Sequence, residues 1–417
     1  MNDRKQPDTL AGKRIVIPDP HLSWHNGHHY NYVRSLVEAA RRRGLETLVL
    51  CGTNALPQVI EEFSAKPIFR VGTYTELPTD PTTPNADLDE ALVEGYQIIT
   101  INMVFLSELL SLTPFITPND IIFFHTIFDR HVFAIAQWLS SFSDEQRPQS
   151  NILFRFWLEK PRERALLQMC SPVLNMPRMR ASYSADTMEL CILYSNVMGR
   201  SVDLVPIPHT PPVVDPAAPR RRFRPEGVAA DTLVVGFLGN ASETRGFMFL
   251  REMITDVLRE APRSCHFLIQ VSTIRPPEHV TREIEGLRAM DEMDVTTIIE
   301  TLSADDYYAL LNECDIILLS YQRERYLYVS SGVFVEAAAV GKVVVLPTGT
   351  SLEREAMRLR LGFSSFREFT APAITASLKR AVADHAALAE RSRLAADEVR
   401  RHNNADSLLS CLLDDAR

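Results

Sequence analysis

Ser330-Ser331-Gly332 stands where a polar loop gives way to small apolar residues, and Glu336 follows one helical turn later. A loop that enters a helix leaves backbone N–H groups without acceptors, and the helix dipole adds partial positive charge at that end. Such a place binds anions. Phosphate on the amides and a sugar hydroxyl on the Glu336 carboxylate is the pairing a nucleotide would use. A plain serine N-cap followed by a solvated glutamate fits the same residues.

A second group lies near the N-terminus, where Asp19, His21, His25, His28 and His29 fill one loop. Several imidazoles beside a carboxylate invite a metal reading. Their spacing matches no established zinc pattern, so the loop is read as solvated or substrate-lining and no metal is assigned. Gly27 in that loop would let a backbone approach a phosphate or an acceptor closely, and an ordinary turn would also use it. His125 follows the apolar run 121–124. It fits a core histidine and an active-site histidine equally. Trp24, Trp138 and Trp157 read as packing residues.

The elements that must hold these groups alternate. Residues 14–17 form a short apolar strand, 30–43 a helix closed by three arginines and Gly44, and 47–50 the next strand. The stretch 56–89, rich in Pro and Thr, has no clear element. Residues 91–112 read as one long helix, 121–124 as a buried strand ending at His125, and 128–139 as a helix. Further strands are read at 152–156, 173–175 and 202–207, with helices after Pro161 and at 184–198. A Pro- and Arg-rich linker follows. Beyond it come strands at 233–237, 267–271, 296–299, 316–320 and 342–346. Helices at 247–259, 280–290, 304–312, 333–340 and 353–360 separate and follow them. Helices at 373–385, 387–401 and 407–413 end the chain. Strand–helix alternation of this kind builds parallel sheets covered by helices. The fold class read from it is α/β, with two Rossmann-like domains facing each other across a cleft. The divisions are 1–210, a linker at 211–230, a second domain at 231–395 and a helical segment at 396–417.

The totals bound the partners. A chain of 417 residues exceeds one ordinary core. A net charge of −9 argues against nucleic acid. Six scattered cysteines without a CxxC pair read as reduced thiols in the cytoplasm. No unbroken run of 18 apolar residues occurs, so nothing is expected to span a membrane. Arginines at 41–43 and 220–224 allow peripheral membrane contact at most.

The C-terminal half resembles the retaining family-4 glycosyltransferases of the GT-B fold. Gly236-Phe-Leu-Gly239 through Arg245-Gly246 resembles the segment that opens their donor domain. Leu302 to Asp315 resembles the helix before the donor strand, and Ser330 to Ala337 the diphosphate- and ribose-binding loop and helix. Gly341-Lys342 resembles the glycine that follows. In the other half, Asn26-Gly27-His28 resembles their glycine-bearing loop, and His125 stands where they have an active-site histidine. The chain departs from the pattern at two places. The family carries two glutamates separated by seven residues; Glu336 is the second and Tyr328 stands at the first. In the basic pair, Asn240 occupies the arginine position and Arg245 the lysine position.

The resemblance implies transfer of a sugar from a nucleotide-diphosphate sugar with retention, without an obligate metal or other cofactor. Arg245 would hold the diphosphate through its planar fork, where an ion pair with Glu243 would be the plain surface role. Ser331, Gly332 and the Val333 amide would cap the diphosphate, and Glu336 would accept from the ribose. Leu302 would meet the base through its backbone, Tyr328 or Arg325 would stand near the donor sugar, and His125 would orient sugar or acceptor. The acceptor is a glycan, a lipid-linked sugar or a small molecule. A nucleotide-sugar epimerase and a non-catalytic GT-B-like scaffold are the two other readings.

Overall fold

The structure, a computed structural model, describes residues 12–25, 27–74, 90–208, 221–260, 265–272 and 276–414. Asn26, residues 75–89 of the unassigned stretch and 211–220 of the linker lie outside them. The chain forms two compact units, 1–208 with 405–417, and 209–404.

The first unit begins with β1 (Arg14–Pro18), α1 (Gly27–Arg42), β2 (Glu46–Gly52), α2 (Pro57–Phe63) and β3 (Lys66–Phe69). It continues with α3 (Glu90–Leu112), β4 (Asp120–Ile127), α4 (Asp129–Ser140) and β5 (Gln149–Phe154). Then come α5 (Pro161–Leu174), β6 (Ala181–Ala185), α6 (Met188–Met198) and β7 (Asp203–Leu204). Its seven strands lie in the order β3-β2-β1-β4-β5-β6-β7, all parallel. All eight residues of β4 are buried, as a central parallel strand requires.

The second unit holds β8 (Leu233–Gly239), α7 (Leu250–Glu260), β9 (Cys265–Val271), α8 (Glu278–Arg288) and β10 (Val295–Ile298). There follow α9 (Ala304–Glu313), β11 (Ile316–Leu318), α10 (Gly332–Ala339), β12 (Val343–Pro347) and α11 (Ser351–Arg358). β13 (Phe363–Phe366), α12 (Ala371–Ala383) and α13 (His385–His402) complete it. The strand order is β10-β9-β8-β11-β12-β13, again all parallel. Residues 221–230, read as linker, are held to this unit: the amides of Phe223 and Arg224 donate to the Glu313 carboxylate. The last helix, α14 (Ala405–Asp414), belongs to the first unit and packs on α1. Leu408, Leu409, Leu412 and Leu413 enter the core with Leu36 and Val37, and Arg42 pairs with Asp406.

Several expectations need correction. Residues 173–175 are the end of α5, not a strand; Leu167, Cys170, Ser171 and Leu174 face inward at helical spacing. Helix 184–198 starts only at Met188, because 181–185 is strand β6 and Thr187 caps the helix through Leu190 N. The strand read at 152–156 runs Gln149–Phe154, and the strand at Phe363–Phe366 was not foreseen. His125 does not end β4, which continues to Ile127. Among the described residues, one helix, within Gly95–Phe115, is long and apolar enough to cross a bilayer, by length and composition alone. One face of α3 packs on α4 through Ile101, Phe105 and Leu109, with Asn102 accepting from Ala134 N. Tyr96, Ile99, Met103 and Leu110 are exposed.

Candidate functional site

Both sheets reverse direction beside their first strand. The switch point lies between β8 and β11 in the second unit and between β1 and β4 in the first. Crevices outside the carboxyl ends of strands at such points are where open α/β sheets bind ligands.

In the second unit, two loops meet at the switch point. After β8, Gly239 takes φ 117°, and a Cβ there would lie 2.8 Å from Arg245 Nη1. The dihedral favours glycine, and a side chain there would displace the end of Arg245. Gly246 (φ 70°) lets the chain turn against the strand-β11 side, where a Cβ would fall 2.4 Å from the Ser320 carbonyl oxygen. Ser320 Oγ donates to the Arg245 carbonyl at 2.8 Å, and Gln322 N to the Thr244 carbonyl at 2.7 Å. The two loops are thus stapled together. From β9, Gln270 accepts from Gly239 N and donates to the Glu300 carbonyl, which ties in the segment carrying buried Leu302.

These contacts aim Arg245. Its guanidinium lies 5.6 Å from the Tyr321 ring centroid, and Tyr321 stacks on Tyr326 at 4.2 Å. Desolvation works against the charge, but the surrounding tyrosine oxygens, including that of Tyr326, to which the guanidinium donates a hydrogen bond, more than offset it and raise the pKa. Glu243 does not pair with Arg245; it meets His279 at 2.7 Å. Asn240 is exposed beside it. Tyr321 Oη and Ser331 Oγ lie 3.4 Å apart.

Ser331 is the N-cap of α10 and accepts from Phe334 N. The amides of Gly332 and Val333 have no acceptor within the helix. A Cβ on Gly332 would meet nothing within 4 Å, so the space in front of them is open. Glu336 is half-buried and accepts from Tyr307 Oη at 2.6 Å. Desolvation raises its pKa above the ordinary 4.5, against the Tyr307 hydrogen bond. Tyr328 is half-buried on the segment leading to α10.

Tyr307→Phe is expected to raise that pKa further. A carboxylate with a raised folded pKa contributes stability below its unfolded value and loses it as pH rises through the folded value. The gap between variant and wild type in urea unfolding should therefore be small below pH 4.5 and widen above it, to about 1–2 kcal/mol near neutrality. A constant gap across pH would sink this account of Glu336.

At the first unit's switch point, Asp19 follows β1 and His125 lies within β4. His29 Nδ1 is 2.8 Å from both Asp19 oxygens, and the His21 amide donates to Oδ1 at 2.9 Å. His125 is fully buried, stacks on Tyr32 at 4.7 Å, and has Nε2 3.1 Å from Asp19 Oδ2. Burial alone would raise the Asp19 pKa, but the two imidazoles hold it well below 3.8. Burial lowers the His125 pKa despite Asp19. Being enclosed, His125 can act on a ligand only through Asp19 or by moving. Arg155, after β5, pairs with Asp186 and donates to His28. His25 pairs with Glu62, outside this cluster. Gly27 opens α1 with φ 78° and open space around it.

Asp19, His29 and His125 have ligand atoms within 4.8 Å of one another, as metal ligands would. The 2.8 Å contact between His29 and Asp19 is a hydrogen-bond length. Two ligands about 2.1 Å from one tetrahedral ion stand about 3.4 Å apart.

Sequence reasoning missed Tyr307, Tyr321 and Tyr326 as site residues. For Tyr321 and Tyr326 the Tyr- and Arg-rich composition of 321–328 was the only signal.

The two units together have the Rossmann-like pair of the GT-B fold. The chain is similar to sucrose-phosphate synthase from Thermosynechococcus elongatus, with TM-score 0.66 and 16% identity over 97% of this chain and 98% of that one. It is similar to a UDP-forming trehalose-phosphate synthase from Burkholderia xenovorans (TM-score 0.62, 11% identity, 96% and 98% covered). HepE from Anabaena, in complex with UDP, gives TM-score 0.62 and 12% identity over 97% and 99%. At these identities the likeness is one of fold. No protein-family model matches the chain, and no curated protein matches it in sequence.

Proposed function

We propose that this protein transfers a glycosyl group from a nucleotide-diphosphate sugar to an acceptor hydroxyl. The observation that carries the reading is the convergence of Arg245, the open N-terminus of α10 and Glu336 at one switch point. A cation fork and free amides suit a diphosphate, and a carboxylate one turn along suits ribose hydroxyls. The fold relatives named above support it. Leu302 meets the base, Tyr328 stands toward the donor sugar, and Asn240 lines the approach; in the first unit, Gly27 lets a backbone come close to a phosphate or an acceptor. Arg245 and the α10 amides carry the charge that develops as the diphosphate leaves, so no metal is obligatory. Retention at the anomeric carbon is supported by the resemblance of the Ser330–Ala337 segment. The acceptor is a glycan, a lipid-linked sugar or a small molecule, and the reduced cysteines fit work in the cytoplasm.

The test is thermal unfolding across a panel of nucleotide diphosphates and nucleotide sugars. A ligand at a hundred times its Kd stabilises the folded state by about 2.7 kcal/mol. The expected result is a raised midpoint with one base, lost in Arg245→Ala and Glu336→Ala. No shift with any nucleotide at millimolar concentration defeats the reading.

A further inference from the structure

Within the second unit, Glu336 is held in an unusual way for a half-buried carboxylate. It lies on α10 between Val335 and Ala337, which both face inward. Gly332 and Glu336 are four residues apart and share a face of the helix, and the space at Gly332 is open. Among the described residues no cation pairs with Glu336. The one side chain that holds it is Tyr307, whose Oη donates to Oε2 at 2.6 Å. That length belongs to an O–H bond strengthened by a full negative charge.

Tyr307 is itself fixed. Its ring meets that of Tyr308 edge-on at 5.7 Å. Both stand on α9, which Ser303 caps and which Leu310 and Leu311 anchor in the core. Burial and the facing carboxylate push the Tyr307 phenol well above its ordinary pKa, so it remains a donor. A glutamate on a helix turns about three bonds, and this contact selects one arrangement of them. An ionised carboxylate has about four acceptor positions. Tyr307 fills one of them, and Oε1 has no donor among the described residues.

We propose that Tyr307 is a positioning residue that aims Glu336 at both hydroxyls of a ribose, and that the donor is therefore carried on a ribonucleotide and not on a 2′-deoxyribonucleotide. The proposal rests on the glycosyl-transfer reading and deepens it. A nucleoside lying along α10 takes from Glu336 the water that now reaches it. The acceptor positions so covered must be filled by the ligand, because a buried carboxylate left short of donors carries the full cost of its desolvation. A ribose supplies two hydroxyls and a deoxyribose one. A site built to bond a hydroxyl rejects the analogue that lacks it. Thymidine-diphosphate sugars, whose pentose is a 2′-deoxyribose, are thereby excluded as donors. Without Tyr307 the carboxylate would be free to turn, and the difference between the two pentoses would fade.

Calorimetric titration of the full chain tests this, with UDP, ADP and GDP as probes, each beside its 2′-deoxy counterpart. For the base that binds, the wild type should hold the ribonucleotide about 10–100-fold more tightly, the worth of one hydrogen bond to a charged group. Tyr307→Phe should narrow that gap about tenfold, a coupling usual for groups in one hydrogen-bond network. It should do so by weakening the ribonucleotide more than the deoxyribonucleotide. A purely structural tyrosine would weaken both alike and leave the gap as it was, and that result overturns the proposal. Should Tyr307→Phe fail to fold, Glu336→Gln, which keeps the size of the side chain, must close the same gap. A wild type that binds both pentoses equally overturns the proposal and leaves the transfer reading standing. Binding of none of the six nucleotides defeats the two together.

Discussion

Arg245→Ala is expected to lower kcat/KM with the nucleotide-sugar donor by about two to three orders of magnitude, the loss seen when one aimed donor to a developing anion is removed. The size follows from preorganisation. The guanidinium lies over the Tyr321 ring and close beside Gly239, and the Arg245 carbonyl is fixed by Ser320. A diphosphate bound as proposed would meet a guanidinium that is already ordered. Arg245→Lys should recover part of the loss, since it keeps the charge but not the two-pronged geometry. Unfolding midpoints without ligand should move little in either variant, because the side chain is half-buried and carries no ion pair with Glu243. Steady-state kinetics beside ligand-free melts would check both halves. A tenfold or smaller drop in the alanine variant would mean that the α10 amides alone carry the leaving group.

Gly362→Ala is expected to destabilise the second unit by about 4 kcal/mol, at the extreme of single substitutions. Here the cause is space, not dihedral strain. A Cβ on Gly362 would lie 1.9 Å from the Leu388 carbonyl oxygen and 2.7 Å from its Cα, both backbone atoms of α13. No rotamer change can relieve a clash with main chain. The helix would have to withdraw, breaking the bond from Gly362 N to Ser392 Oγ at 3.1 Å. Urea unfolding followed by circular dichroism measures the effect. A loss under 1 kcal/mol, of the order of an ordinary surface change, would show that α13 is free to slide.

The strands legible in the sequence were those with continuous apolar runs, such as 121–124 and 233–237. Parallel strands buried on both faces need such runs. β6 and β13 escaped because Ala-Ser-Tyr-Ser-Ala and Phe-Ser-Ser-Phe carry small hydroxyl residues where an apolar run is sought. Their serines are satisfied within the fold: Ser184 donates to Asn151, and Ser364 meets Ser377. In α5, Pro172 lies inside the helix without ending it, and the helix persists to Leu174. The loop-to-helix turn at Ser331 was legible because an N-cap depends on local sequence. Tyr307 and Glu336 are 29 residues apart, and only the packing of α9 against α10 brings them together. Asp19 and the histidines were noticed as a group. What the spacing could not show was that His29 folds back onto Asp19 while His25 turns away to Glu62.

The position of α14 bears on the order in which the protein is made. Its four leucines complete the core of the first unit, yet they are encoded after the whole of the second. A chain emerging from the ribosome can close residues 209–404 into a finished core while the earlier half still exposes the face of α1 that α14 covers. The residues of the second unit's core are thus all translated before those of the first are complete, against the usual N-to-C order. Until translation reaches Leu413, the nascent first half carries an uncovered apolar strip that chaperones would recognise.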